Sequence, residues 1–341
     1  MNLYGQFEDM VDAVLSPPQV RKRLTCIDLF CGIGGFHIAA ANLGLEVVFA
    51  SDIDDAAVAA YRHNFGLLPE GDITQITGSN IPDHDLLLAG FPCQPFSIIG
   101  SRSGTSDPRG KLFQEILRIV RAKKPAGIVL ENVKQLASAE NGTILRTILE
   151  DLSSMGYQVD WRVLNALHLG LPQKRERVII VGTLDPFDRF PWPTEKVPMT
   201  PLSDLLENDP DSKYFVSERI RAKRHAAHTS KVEPSIWHEN KGGHISSYPF
   251  SCALRAGASY NYLLVNGERR LTPREVLRLQ GFPDSFEIVC TDSQTRKQAG
   301  NAVPVPLAQA AIKGVLDVIG RSQTTRSSKS SHRAVPIGAT A

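Results

Sequence analysis

LTCIDLFCGIGGFHIAAANLGLEVVFASD, residues 24–52, is the stretch on which the fold turns. LTCIDLF is a short apolar run suited to a buried strand. Glycines follow at 32, 34 and 35, then the helical pattern GGFHIAAANLG, then a second apolar run, EVVFASD. Strand, glycine turn, helix and strand make one unit of an open α/β sheet. Glycine at such a turn lets the backbone bend tightly and approach a ligand closely.

The rhythm continues to residue 184. HDLLLAG, GIVLEN and RVIIVGT read as further strands, while DDAAVAAYRHNF, GKLFQEILRIVRAKK and NGTILRTILEDLSSMG read as helices. The expectation is an α/β, doubly wound, Rossmann-like sheet with helices on both faces and ligands outside the carboxyl ends of its strands. From about 185 the pattern stops at the proline- and aromatic-rich DPFDRFPWPTEKVPMTP, and no sustained period follows to about 268. Helical patterns return at TPREVLRLQG and PVPLAQAAIKGVLDVIG, and the Ser-, Thr- and Arg-rich end is expected to be disordered.

Bulk properties narrow the function classes. The 341 residues, 42% hydrophobic, suit one large domain or one domain with a smaller lobe. No apolar run is expected to reach the roughly 18 residues of a membrane span. The N-terminus lacks a basic segment followed by an apolar one, so it does not read as a signal peptide. Five cysteines, Cys26, Cys31, Cys93, Cys252 and Cys290, form no C-x-x-C pair, which argues against a metal site or disulfide framework and for a reducing cytoplasm. Net charge is only +2, but residues 211–231 hold six bases against two acids, a patch able to meet phosphates.

Individual residues then suggest a chemistry. Asp52, at the end of the second strand, is placed to bind ribose hydroxyls, and Asp72 beside Ile73 offers an acceptor next to an apolar surface. A nucleoside-bearing cofactor follows. In GFPCQPFS, residues 90–97, Cys93 stands at a strand's carboxyl end on a turn stiffened by Pro92. That edge is where ligands bind. A Gly/Ser-rich loop of the kind that moves over a site follows to residue 110. Glu131 ends the next strand at the same edge, where a carboxyl group could hold or donate a proton. In QKRERV, Arg175 and Arg177 are expected on opposite sides of an extended segment, one of them facing the cleft to bind a carbonyl oxygen or orient a carboxylate.

DLFCGIGGF, GFPCQPFS, ENV, QKRER, LTPREVLRLQGFPDSF and QAGNAVPVPL, in this order, resemble the DNA cytosine carbon-5 methyltransferases of bacterial restriction-modification systems. The resemblance covers about residues 24 to 320. It implies methylation of carbon 5 of a cytosine in a specific double-stranded DNA sequence, with S-adenosyl-L-methionine as cofactor. Cys93 would be the nucleophile on a flipped-out base. Glu131 would contact the ring nitrogen and exocyclic amine, and Arg177 the cytosine carbonyl with support from Arg175. Phe30, Gly32, Gly34 and Gly35 would surround the methionine and sugar, Asp52 the ribose, and Ile53, Asp72 and Ile73 the adenine. Pro92 and Leu112 would line the pocket, closed by Asn301 and Ala302.

The same resemblance implies an organisation into an N-terminal extension (1–23), a catalytic and cofactor-binding domain (24–184), a target-recognition lobe (185–285), a C-terminal segment returning to the catalytic domain (286–320) and a disordered tail (321–341). DNA contacts are expected from Gln94, Ser97, Arg221, Lys223 and Arg224. The chain is expected to act as a cytoplasmic monomer, without a membrane, in functional pairing with a restriction endonuclease. Two alternatives differ in residues: a tRNA methyltransferase of the same fold carries a Cys-Phe-Thr signature absent here, and an inactive DNA-binding homologue would lack Cys93 or the glycines.

Overall fold

The computed structural model describes residues 23–92 and 111–330. Its first half is built from β1 (Thr25–Leu29), α1 (Gly35–Asn42), β2 (Glu46–Ser51), α2 (Asp55–Phe65), β3 (Leu86–Gly90), α3 (Lys111–Lys123), β4 (Gly127–Val133), α4 (Thr143–Ser154), β5 (Gln158–Asn165), β6 (Gln173–Lys174) and β7 (Glu176–Thr183). One sheet takes six of these strands in the order β2-β1-β3-β4-β7-β5. The first four are parallel; β7 runs antiparallel to both β4 and β5. The amino end of β7 therefore lies at the same sheet edge as the carboxyl ends of β1 to β4.

Side-chain alternation divides the core between the two faces. Cys26, Leu86, Leu88, Val129, Ile179 and Val181 belong to one cluster, while Ile27, Leu29, Leu87, Ile128, Leu130, Val178 and Ile180 belong to the other. Period two along each strand dictates this separation. The second face is covered by α3 and α4, through Phe113, Ile116, Val120, Ile144 and Ile148. The first is covered by Phe36, Ala39 and Ala40 of α1 and by a helix from the far end of the chain.

The second half contains α5 (Leu202–Leu205), α6 (Glu218–Ala227), β8 (Ile236–Glu239), β9 (Ile245–Tyr248), β10 (Ser251–Cys252), β11 (Leu263–Val265), α7 (Pro273–Arg278), α8 (Asp292–Asn301) and α9 (Val305–Ser330). β11, β8 and β9 form a small antiparallel sheet, and β10 pairs with β6. Leu307, Ala308, Ala311, Ile312 and Val315 of α9 are fully buried against the main sheet. Gly127 of β4 is one reason the helix fits, because a Cβ there would overlap the Val315 side chain.

Two elements escaped the sequence reading, and two expectations are corrected. QVDWRVLN forms β5 and DSQTRKQAGN forms α8, neither of which the apolar pattern announces. The stretch Asp292–Gly320 is long and apolar enough to cross a membrane, contrary to the expectation that none is; two-thirds of its most apolar window is buried in the protein core. And α9 continues to Ser330, into the segment expected to be disordered. RSQTTRSSKS contains neither Gly nor Pro, and extending an existing helix needs no new nucleus.

Candidate active site

The site grows from the turn after β1. Phe30 and Gly32 adopt left-handed backbone angles (φ 55° and 53°), and the Gly32 amide donates to Asp52 Oδ2 at 2.8 Å. The Asp54 amide donates to Asp52 Oδ1 at 2.9 Å. Asp52 thereby ties the turns after β1 and β2 together. The three glycines answer three different demands. A Cβ on Gly34 would enter the Phe65 ring and one on Gly35 the Val303 carbonyl oxygen, whereas a Cβ on Gly32 would meet no atom within 4 Å. Gly32 alone keeps its flank open.

That open flank faces a cavity of about 510 Å³ at the carboxyl edge of the sheet, a size suited to a cofactor. Phe30, Gly32, Gly35, Asp52 and Ile53 form one side of its wall. Asp72 and Ile73 form another, where Ile73 is buried and the Asp72 carboxylate accepts from the Thr74 amide. Pro92, Leu112, Asn301 and Ala302 complete the set expected from the sequence. Gly34 is the exception: it does not line the cavity, because its Cα faces Phe65.

Glu131, Arg175 and Arg177 line the same cavity. The two arginines lie on one side, not on opposite sides as expected. Neighbouring residues of an extended chain alternate, so positions two apart share a face. Arg177 Nε lies 2.7 Å from Glu131 Oε1. Burial pushes the Glu131 carboxyl above its ordinary range, and the charges of Arg177 and Arg175 oppose that shift. Arg175 is itself buried, and its guanidinium donates to the carbonyls of Leu254 (2.8 Å), Gly300 (2.9 Å) and Ala302 (3.0 Å). Burial, followed by the like charge of Arg177, pushes its pKa down to about 9, which leaves it charged at neutral pH.

Cys93, Gln94 and Ser97 lie outside the described residues, as does the glycine-rich loop; Phe91 and Pro92, immediately before Cys93, are in the cavity wall. The Asn132 side chain donates to the Phe91 carbonyl at 3.0 Å and so fixes the approach to residue 93. Arg221 and Lys223 are exposed on α6, Arg221 beside Glu218 at 2.9 Å. Arg224 corrects the expectation of a DNA contact. It is buried, 2.6 Å from both Glu239 Oε2 and the Asn261 carbonyl, because it points inward from the helix.

Sequence reasoning missed Lys297, which lines the cavity and reaches Asp54 Oδ2 at 2.7 Å. It also passed over Asp28, fully buried, whose carboxyl is held well above its ordinary range by burial and then by the charge of Asp52. Asp28 stands inside the DLFCGIGGF motif, one residue before the end of β1, and a carboxylate within that apolar strand was the available signal. Lys297 had none beyond proximity to Asn301.

Residues 24–316 match the model of the C-5 cytosine-specific DNA methylases. Type II methyltransferase M.NgoBI of Neisseria gonorrhoeae is 54% identical over 292 residues, covering 84% of this chain and 91% of that protein. M.HaeII of Haemophilus aegyptius is 52% identical over 293 residues, covering 85% and 92%. The solved S. pombe Dnmt2 methyltransferase superposes with a TM-score of 0.67 at 25% identity, covering 87% of this chain and 99% of its own. The Entamoeba histolytica methyltransferase EhMeth shares the fold, with a TM-score of 0.66 at 16% identity and coverage of 88% and 99%. With the cavity, its acid–arginine pair and its glycine turn, these matches place the chain in the family of C-5 cytosine-specific DNA methylases, a DNA (cytosine-5-)-methyltransferase.

Proposed function

We propose that the chain methylates one cytosine within a specific duplex sequence, with S-adenosyl-L-methionine in the 510 Å³ cavity and Cys93 as nucleophile. The residues present fit this cofactor. Asp52 presents a carboxylate at the end of β2 for a ribose, and Ile73 and Leu112 give an apolar wall for an adenine beside Asp72. Gly32 leaves room for close approach. When bound, the cofactor supplies an electrophilic methyl group.

The protein's own groups do the remaining work. Carbon 5 of cytosine is a weak nucleophile. Addition of the Cys93 thiolate to carbon 6 turns the ring into an enamine that takes the methyl at carbon 5. Loss of the carbon-5 proton then expels the thiolate and restores the ring. Glu131 holds a proton at the ring nitrogen as negative charge builds there, and Arg177 both orients Glu131 and binds the carbonyl oxygen. The base must leave the stack first, since carbon 6 is shielded in duplex DNA. Residues 24–184 and 286–320 would form the catalytic domain and 185–285 the target-recognition lobe. Arg221 and Lys223 are exposed there for phosphate contact. Protection of host DNA from a restriction endonuclease is the proposed role.

The observation carrying this reading is the convergence of Glu131, Arg177 and the Phe91–Pro92 turn on one cavity with Asp52 and Gly32. Bisulfite sequencing of DNA from cells expressing the protein should reveal one methylated sequence. Cys93→Ser should abolish it while duplex binding persists. Methylation at an undiminished level in that variant would overturn the nucleophile.

A further inference from the structure

A second, smaller cavity of about 120 Å³ lies on the other side of α8, lined by Arg255, Arg270 and Arg296 with Tyr260 and Tyr262. The guanidinium carbon of Arg296 stands 3.9 Å from the Tyr260 ring centroid, and that of Arg270 lies 5.3 Å from the same centroid. Arg255 covers Tyr262 at 4.8 Å. Such stacking fixes a guanidinium without neutralising it. Among the described residues, none of the three arginines has a carboxylate within ion-pair distance. Arg270 donates to Asn261 Oδ1 and the Lys213 carbonyl; the Arg255 and Arg296 guanidinium groups have no hydrogen-bond acceptor among the described residues. Three positive groups therefore converge on one hollow with no carboxylate among the described residues to match them.

The hollow adjoins the first cavity. Arg175, in the wall of the first, is oriented by donating to the Leu254, Gly300 and Ala302 carbonyls, and Leu254 lines the second. Gly300 packs against the Arg255–Ala256 backbone so closely that a Cβ would overlap it. Along α8, Ser293 and Arg296 face the second cavity, while Lys297, Gln298 and Asn301 face the first. One helix and one peptide layer separate them.

We propose that Arg255, Arg270 and Arg296 form a seat for a backbone phosphate of the DNA strand that carries the target cytosine. The inference rests on the function proposed above. A nucleotide turned into the first cavity stays bonded to a phosphate on either side, so those phosphates must settle at the cavity's margin. Guanidinium forks match phosphate oxygens in charge and geometry. A hollow this small admits a phosphate but not a nucleoside. The contact carries no sequence information and fixes the strand's register over the catalytic cavity.

The test is equilibrium binding of the full-length protein to a duplex bearing the sequence found by bisulfite sequencing, and to a scrambled duplex, over a series of salt concentrations. Arg296→Gln and Arg255→Gln should each weaken both complexes by about tenfold and lower the salt slope by about one. In turnover, the loss should fall on KM for DNA and leave KM for the cofactor unchanged. Arg296→Lys should recover the salt slope. An unchanged slope in both Gln variants overturns the proposal, and so does a loss confined to the specific duplex, which would mark base reading. Displacement of wild-type DNA binding by inorganic phosphate at constant ionic strength, lost in Arg296→Gln without change in DNA affinity, would mark a free-anion site and also refute it. Failure of the wild type to methylate any DNA would instead sink the parent reading.

Discussion

Glu131 on β4 and Arg177 on β7 sit diagonally across one antiparallel ladder, and their side chains meet at 2.7 Å. The register pairs Glu131 with Ile179 and Val133 with Arg177, so both charged groups project from the same face two positions apart. The reversed direction of β7 is what makes the pair possible. A parallel strand would place its amino end at the opposite edge, away from the Glu131 carboxyl.

Glu131→Gln keeps the size and can still donate a hydrogen bond, but cannot release or take a proton. We expect methyl transfer to fall by about 10²–10⁴-fold with duplex affinity retained. Because burial raises the Glu131 pKa, its acid form persists to higher pH than an exposed glutamate would allow. Wild-type kcat should decline as pH rises through that value, and the decline should be missing in the variant. Single-turnover methylation across pH checks both; an undiminished rate for Glu131→Gln would remove the carboxyl from the chemistry.

Arg175→Met isolates a different role. The side chain satisfies three buried carbonyls from two distant parts of the chain. Removing it leaves them without donors, at about 1–3 kcal/mol for each group. Stability should drop by at least about 3 kcal/mol, read from urea unfolding, and cofactor affinity should fall because the Gly300–Ala302 wall loosens. A stability loss under about 1 kcal/mol would contradict the assignment.

Most of the sheet was legible because four parallel strands buried on both faces must be continuous apolar runs. The edge strand β5 was not: QVDWRVLN is mostly half-buried or exposed, so its polar residues hide the pattern. α8 escaped for a similar reason. DSQTRKQAGN has little apolar surface, although its Thr291–Gln294 capping box is present in the sequence. The site residues at strand ends followed from topology, since the carboxyl edge is common to the fold. Arg175 resisted because its partners are backbone carbonyls at 254, 300 and 302, which leave no side-chain signature. Arg224 misled because a basic run does not say which of its members turns inward.

Gly32 and Gly35 should respond differently to the same added methyl. In Gly35→Ala the new Cβ meets the Val303 carbonyl oxygen, a backbone atom that cannot swing aside. We expect about 1–3 kcal/mol of destabilisation and weaker cofactor binding, as the 301–303 wall is displaced. Gly32→Ala meets no atom, so its folding cost is set by φ of 53° and stays near 1 kcal/mol. Paired thermal melts with and without cofactor separate the two, and identical melts for both variants would contradict this division.

His37 gives the fold an acid-sensitive contact of its own. Its ring stacks on Phe65 at 3.9 Å, and Nδ1 lies 2.7 Å from the Tyr61 hydroxyl. Burial pulls its pKa down from 6.5 to about 4. Between those values the unfolded chain takes up a proton that the folded protein refuses, so stability from this residue rises with pH across the window. The contribution is complete above pH 6.5 and is lost as pH falls towards 4, amounting to about 3 kcal/mol at most. His37→Phe keeps the stacking and removes the titration. At pH 7.5 it should be less stable by about 1 kcal/mol, through the lost Tyr61 contact. From pH 6.5 to 5, above the range where most carboxylates titrate, its unfolding free energy should fall less steeply than that of the wild type. Parallel slopes for the two proteins would show that the imidazole is already free to take up a proton in the folded state.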